Sequence, residues 1–302
     1  MPVNETYRAQ VDLLIRCLPA VAKNHSFALK GGTAINLFLH DMPRLSVDID
    51  LTFLPITDRD TALTAIADGL VMIGEEIRKT IPQAQVQSTG TDAPKLQIAT
   101  PQARIRVEPS PIARGSLFPP VETDLCQAAQ DEYELFVRVL RLATADLYGG
   151  KLCAALDRQH PRDLFDIKQL QDAGEISDDI RQAFVVYLAG HRRPMAEMLA
   201  PNIKPIGQLY THHFAGMTTH PVELEELEAA RAQLFAWVRT ALTEDERKFL
   251  LAMKQGEPDW DLMPFDHIEQ LPAIQWKLHN VNRMSARSHQ AALARLRDVL
   301  GL

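Results

Sequence analysis

The sequence predicts an α+β fold: a mixed sheet flanked by helices in the N-terminal part, followed by a mainly helical C-terminal lobe. Three observations carry that reading. Short β-rich runs such as Val47–Phe53 and Ala103–Glu108 alternate with helical segments before residue 145. From Ala143 onward the apolar spacing is almost wholly helical, as in VELEELEAARAQLFAWVRTAL. At 302 residues the chain also exceeds one ordinary domain, which divides it into lobes of residues 1–145 and 146–302.

Each element follows from its pattern. Residues 3–23 place Val11, Leu14, Ile15 and Leu18 at helical spacing. Phe27–Leu29 is a short apolar run that ends at Gly31-Gly32, and Thr33 then opens a second helical stretch, AINLFLH. Met42-Pro43 breaks that helix. Val47–Phe53 alternates in period two and is rich in β-branched residues, so it reads as a strand. Asp58–Lys79 is a long amphipathic helix, and strands follow at Gln85–Ser88, Leu96–Thr100 and Ala103–Glu108, separated by Gly, Pro and Asp turn signals. A further boundary is expected near Thr243.

Composition excludes several classes. Hydrophobic residues make up 46% and charged residues 24%, which rules out a disordered or collagen-like chain. The net charge of −7 gives no overall basic footprint, so any polyanion must meet a local basic patch. Cys17, Cys126 and Cys153 are odd in number and far apart, which fits neither a disulfide framework nor a thiolate metal site. The N-terminus intersperses charges among its apolar positions, unlike a signal peptide, and no apolar run approaches the length of a membrane span. The expectation is a cytoplasmic protein without a membrane association.

Chemistry concentrates in two places. In the first, a strand runs into Gly31-Gly32 and a helix start, where backbone N–H groups can approach phosphate closely. Downstream, Asp48 and Asp50 lie two apart on a strand and share one face, with Val47, Ile49 and Leu51 opposite. Paired carboxylates repel unless a cation sits between them, and such pairs hold Mg²⁺ together with substrate phosphates. Glu108, at the end of RIRVEP, is the candidate third carboxylate. Alternatively the acids are surface groups of a solvated strand. In the second place, Lys151 and Arg158 lie seven apart on one helix face, Pro161 opens the next helix, and Asp163 sits in its first turn. Arg162 and Asp166 have pairing distance at i, i+4. Taken alone, this segment reads more readily as a salt-bridged pair of helices than as a site.

Together these residues resemble the AbiEii/AbiGii-type nucleotidyltransferase toxin family of the DNA polymerase β-like superfamily. The resemblance rests on Gly31-Gly32-Thr33-Ala34 with Arg44, Ser46 and Asp48-Ile-Asp50, and on Lys151-Leu-Cys-Ala-Ala-Leu-Asp-Arg158 with Pro161-Arg-Asp163-Leu-Phe-Asp166. Weaker similarity continues through Gly256-Glu-Pro-Asp-Trp260 and Leu271–Asn280. The spacing from Gly32 to Asp48 is longer than is general in the superfamily. What the resemblance implies is a nucleotidyltransferase-like sheet as the catalytic lobe and a helical lobe contributing Lys151 and acceptor or nucleotide contacts. It implies catalysis by Asp48, Asp50, Glu108 and Lys151, with two Mg²⁺ ions on Asp48, Asp50 and Glu108. Nucleotide contacts would come from Gly31, Gly32, Thr33, Arg44, Ser46, Lys151, Arg158 and Asp163. The implied role is a toxin of a type IV toxin–antitoxin pair in phage defence, using NTP, an RNA acceptor such as tRNA, and a cognate antitoxin.

An RNA acceptor needs a basic track, for which Arg104, Arg106, Arg114, Arg138, Arg141, Arg192 and Arg193 are the candidates. The same site serves equally to modify a small-molecule or protein hydroxyl, and a third reading is a catalytically dead fold used for binding. His212-His213 and His220 lack metal-ligand spacing and read as exposed loop residues. Trp260 and Trp276, beside Leu and Pro in amphipathic segments, are expected to fill the C-terminal core.

Overall fold

In the computed structural model, which describes residues 5–90, 93–174 and 176–302, the chain divides into two compact units. The first runs to Leu147 and includes Phe214–Val222; the second comprises Tyr148–His213 and Glu223–Leu302. Residues 214–222 join the first unit through backbone bonds: Leu45 N–H donates to Met217 O at 2.7 Å, and Arg44 bridges Thr218.

The first unit is a seven-stranded mixed sheet with its helices. Its strands are β1 (Phe27–Lys30), β2 (Asp48–Phe53), β3 (Gln85–Thr89), β4 (Lys95–Ala99), β5 (Arg104–Pro109), β6 (Val121–Asp124) and β7 (Arg138–Arg141), in the spatial order β3-β4-β5-β2-β1-β7-β6. Thus β2 is central, antiparallel to β1 and parallel to β5. The helices are α1 (Glu5–Ala22), α2 (Gly31–Ala34), α3 (Arg59–Thr80) and α4 (Gln127–Tyr133).

Alternation gives the sheet one apolar face. In register across β4, β5 and β2, Leu96 meets Val107 and Val107 meets Ile49, all buried. Helix α3 covers this face, where a Cβ on Gly74 would stand 3.3 Å from Val86 and 3.7 Å from Leu96. The opposite face carries Asp48 and Asp50, only half-buried.

The sequence expectations are met for the first five strands, with three corrections. First, β6, α4 and β7 lie beyond the expected elements, because each is a short element of mixed polarity. Second, the AINLFLH helix changes character: α2 ends at Ala34 and Ile35–Leu39 continues as a π-helical turn. Third, β2 begins at Asp48, leaving Val47 outside it.

The second unit is helical. It contains most of α5 (Thr144–Arg158), then α6 (Pro161–Asp172), α7 (Asp178–Ala189), α8 (Met195–Leu199), α9 (Gly207–His213), α10 (Leu224–Thr240), α11 (Glu244–Gln255), α12 (Pro272–Asn282) and α13 (Ala286–Leu300). Thr243 marks no boundary; it caps α11, its Oγ1 accepting from Glu246 N–H at 3.2 Å in a capping box. Trp260 packs on Phe249 with ring centroids 6.2 Å apart. Trp276 departs from the expected core position, since it stays 49% exposed on α12. Among the described residues no helix is long and apolar enough to cross a membrane.

Candidate active site

The site in the first unit is assembled by register. Asp48 pairs in the parallel β2–β5 ladder with Arg106, and Asp50 with Glu108; across the antiparallel ladder Asp50 faces Lys30. Residues opposite one another in a sheet share a face, so Asp48, Asp50, Glu108, Arg106 and Lys30 form one polar surface at mid-sheet. Arg106 spans the carboxylates, its Nη2 lying 3.3 Å from Asp48 Oδ1 and its Nη1 3.2 Å from Glu108 Oε1. Lys95 Nζ approaches the same Glu108 oxygen at 3.5 Å. Burial lowers the Lys30 ammonium below its ordinary value, partly opposed by Asp50. Lys30 and Lys95 escape sequence reasoning because only the ladder register reveals them.

The turn from β1 into α2 is shaped around these acids. Gly31 has φ +71°, and a Cβ there would overlap the Asp50 carboxylate. A Cβ on Gly32 would stand 2.6 Å from an Arg44 guanidinium nitrogen and 2.9 Å from Ser46 Oγ. Thr33 is fully buried, its Oγ1 donating to Asp48 O at 2.6 Å and lying 3.0 Å from Ser46 Oγ. Arg44 and Ser46 are buried too, and Arg44 donates to Leu45 O at 2.9 Å. The hydroxyls of Thr33 and Ser46 therefore fasten the α2 turn to the start of β2.

Lys151, Arg158 and Asp163 lie in the second unit and form their own cluster. Lys151 is only 7% exposed, and its Nζ stands 3.0 Å from Asp163 and 2.9 Å from Asp166. Arg158 reaches Asp163 at 2.8 Å. Burial would raise the Asp163 carboxyl, but Lys151 and Arg158 together hold it below the usual carboxylate range. Helix α6 starts as its sequence indicates, with Pro161 in the first turn and His160 as cap, Nδ1 accepting from Arg162 N–H at 3.2 Å. Asp166 is a second carboxylate on Lys151 that the sequence reading misses, although helical spacing from Asp163 puts both on one face.

The arginine track is corrected by burial and pairing. Arg114 and Arg141 are buried, with Arg114 donating to Thr57 O and Arg141 to Leu142 O. Arg138 is held by Asp124, Arg106 by the acids of the site, and Arg193 by Asp157 and Glu197. Arg104 and Arg192 remain outward.

Chemically, a set of carboxylate oxygens beside a glycine turn suits a hard divalent cation, which is commonly held by one or two carboxylates plus substrate phosphates. Asp48, Asp50 and Glu108 fit that requirement in donor type and in facing direction, although among the described residues no three such side chains converge into a finished cage. A buried lysine between two aspartates offers a fixed positive charge.

The family model described as nucleotidyl transferase AbiEii toxin, type IV toxin–antitoxin system, matches residues 12–280. Among solved structures, MenT4, a nucleotidyltransferase toxin from Mycobacterium tuberculosis H37Rv, is similar in fold, with a TM-score of 0.59 and 19% sequence identity. That alignment covers 96% of this chain and 92% of MenT4. Among curated proteins none matches the sequence.

Proposed function

The chain belongs to the nucleotidyl transferase AbiEii toxin family of type IV toxin–antitoxin systems, and from that premise we propose that it transfers NMP from a Mg²⁺-bound NTP to an RNA acceptor of the tRNA class. The observation that supports this most is the in-register placement of Asp50 beside Glu108, with Asp48 on the same face and the Gly31 turn against Asp50. Asp48, Asp50 and Glu108 would hold two Mg²⁺ ions, which when bound polarise phosphoryl oxygens and offset their charge. The backbone of Gly31, Gly32 and Thr33 approaches the β- and γ-phosphates, while Arg44 and Ser46 set that turn. Glu108 helps take the proton of the acceptor hydroxyl. The hydroxyl oxygen bonds to the α-phosphorus, the bond to the bridging oxygen of the β-phosphate breaks, and pyrophosphate leaves. Lys151, fixed by Asp163 with Arg158 and by Asp166, supplies positive charge to the reaction. A cognate antitoxin, a role in phage defence and a cytoplasmic setting belong to the same reading.

A second reading has its own observation. With Arg114 and Arg141 buried and a net charge of −7, much of the expected RNA track is missing, which favours a small-molecule or protein hydroxyl as acceptor. One experiment separates the two. The protein and an Asp48→Ala/Asp50→Ala variant are incubated with Mg²⁺, one labelled NTP at a time, and total tRNA. Label on RNA from the unmodified protein alone is the expected result. Label on protein or small molecules instead would establish the second reading, and no label with any nucleotide would sink both.

A further inference from the structure

One outward face of α12 carries Trp276 and His279, spaced i and i+3, and Arg283 follows them at the C-cap of the helix. Trp276 is one of the few large apolar side chains left half-exposed. Its indole stacks on the His279 imidazole, with centroids 5.6 Å apart and planes 15° from parallel. Arg283 Nη1 lies 3.2 Å from His279 Nε2, and among the described residues no carboxylate pairs with Arg283. The helix beneath is firmly anchored. Ile274 and Val281 are buried on its inner side, and Lys277 Nζ donates to His191 O at 2.6 Å and Arg193 O at 3.2 Å. Charge is also distributed unevenly. From Pro272 to Leu302 there are five basic residues and one acidic residue, a local +4 in a chain of −7. Lys277 is taken up by backbone carbonyls and Arg295 lies 3.7 Å from Glu197, which leaves Arg283, Arg287 and Arg297.

An exposed aromatic in line with an arginine that no carboxylate among the described residues pairs, in the basic end of an acidic chain, is the composition of a stacking platform for single strands. We propose that this face of α12 binds single-stranded RNA, a base stacking on Trp276 while a neighbouring phosphate meets Arg283. The local excess of positive charge favours a polyanion over a neutral protein surface. This inference rests on the reading of the acceptor as RNA, and it assigns that acceptor a docking surface in the second unit.

The test uses the full chain carrying Asp48→Asn/Asp50→Asn, so that binding is measured without transfer, and a fluorescein-labelled short single-stranded RNA read by anisotropy. Trp276→Ala is expected to weaken binding by about 5- to 100-fold, with Trp276→Phe restoring most of it. Arg283→Gln is expected to flatten the log–log salt dependence by about 0.7. Being half-exposed, position 276 tolerates these changes, and equal thermal midpoints confirm the fold. RNA affinity unchanged in Trp276→Ala overturns the platform, as does the absence of any RNA affinity. Unchanged RNA affinity with loss of a co-expressed protein partner overturns it in favour of a protein-docking face. Trp276-dependent RNA binding in a protein that labels only non-RNA acceptors would sustain the platform and sink the RNA-acceptor reading alone.

Discussion

At Gly31 two constraints coincide. The backbone sits at φ +71°, where a side chain is strained, and the Asp50 carboxylate occupies the place of a Cβ. Gly31→Ala is therefore expected to cost about 1–2 kcal/mol of stability from the left-handed backbone alone. It also displaces the Asp50 carboxylate, and under the proposed function an ångström's displacement there costs on the order of 100-fold in rate. Urea titration and NMP incorporation measure the two effects; a stable, fully active Gly31→Ala would detach this turn from the chemistry. Lys151 presents the complementary case. Its ammonium is the cation between two buried carboxylates, so Lys151→Ala is expected to cost about 3–5 kcal/mol. An unchanged urea midpoint would contradict that. At this scale the sequence is readable where the residue type is the message: glycines at a turn, acids two apart on a strand, a lysine seven from an arginine. Lys95 and Lys30 carry no such mark. They reach the acids because different strands are placed side by side, and spacing within one strand does not encode its neighbour.

Helix α5 shows how neighbouring identical residues do opposite things once elements pack. A Cβ on Gly149 would stand 2.8 Å from Ala183 Cβ and 2.8 Å from Phe184 N, so α5 and α7 meet backbone to backbone there. One position on, Gly150 has nothing within 4 Å. Gly149→Ala must therefore separate two packed helices, at a cost of about 1–3 kcal/mol. Gly150→Ala removes a poor helix former from an open surface and is expected to stabilise by about 0.5–1 kcal/mol. Thermal unfolding of the two variants checks both signs, and equal shifts would refute the packing account. Element recognition from sequence follows the same division between local and distant causes. Long amphipathic helices such as α3 and alternating strands such as β5 declare themselves through period. β6 and β7 are four residues each, and β7 offers only Val139 and Leu140 as its apolar pair. Both exist because β1 provides an edge for β7 and β7 one for β6. Trp276 errs for a related reason: amphipathic spacing says that a helix has an inner face, but only packing shows that Ile274 and Val281 occupy it.

Over the whole molecule, the α+β class and the change from sheet to helix are legible because they depend on period, whereas the strand order is not, because β2 lies between β1 and β5 only after a long excursion through α3. The molecule's response to acid is likewise a property of the assembled fold. His160 and His191 both use Nδ1 to accept a backbone N–H two residues ahead, from Arg162 and Arg193, each at 3.2 Å. An imidazolium has no lone pair to accept with. Burial, reinforced by nearby cations and opposed by Asp163 and Asp157 respectively, lowers His160 to about 4 and lowers His191 as well. In the unfolded chain a histidine takes its proton near pH 6.5, so on acidification the unfolded state binds protons first. The stabilisation is complete above that range and is lost as pH falls from about 6.5 toward 4. Asp163, depressed by Lys151 and Arg158, adds its own loss only at lower pH, beginning as the unfolded carboxylate takes its proton at about pH 3.9 and complete once the folded one is protonated too. Asparagine keeps an acceptor at each position but does not titrate. The thermal midpoint of the unmodified protein is expected to fall between pH 7 and pH 5, and that fall should be clearly shallower in His160→Asn/His191→Asn. If the double variant loses stability just as steeply, the acid sensitivity lies in groups other than these two ring nitrogens.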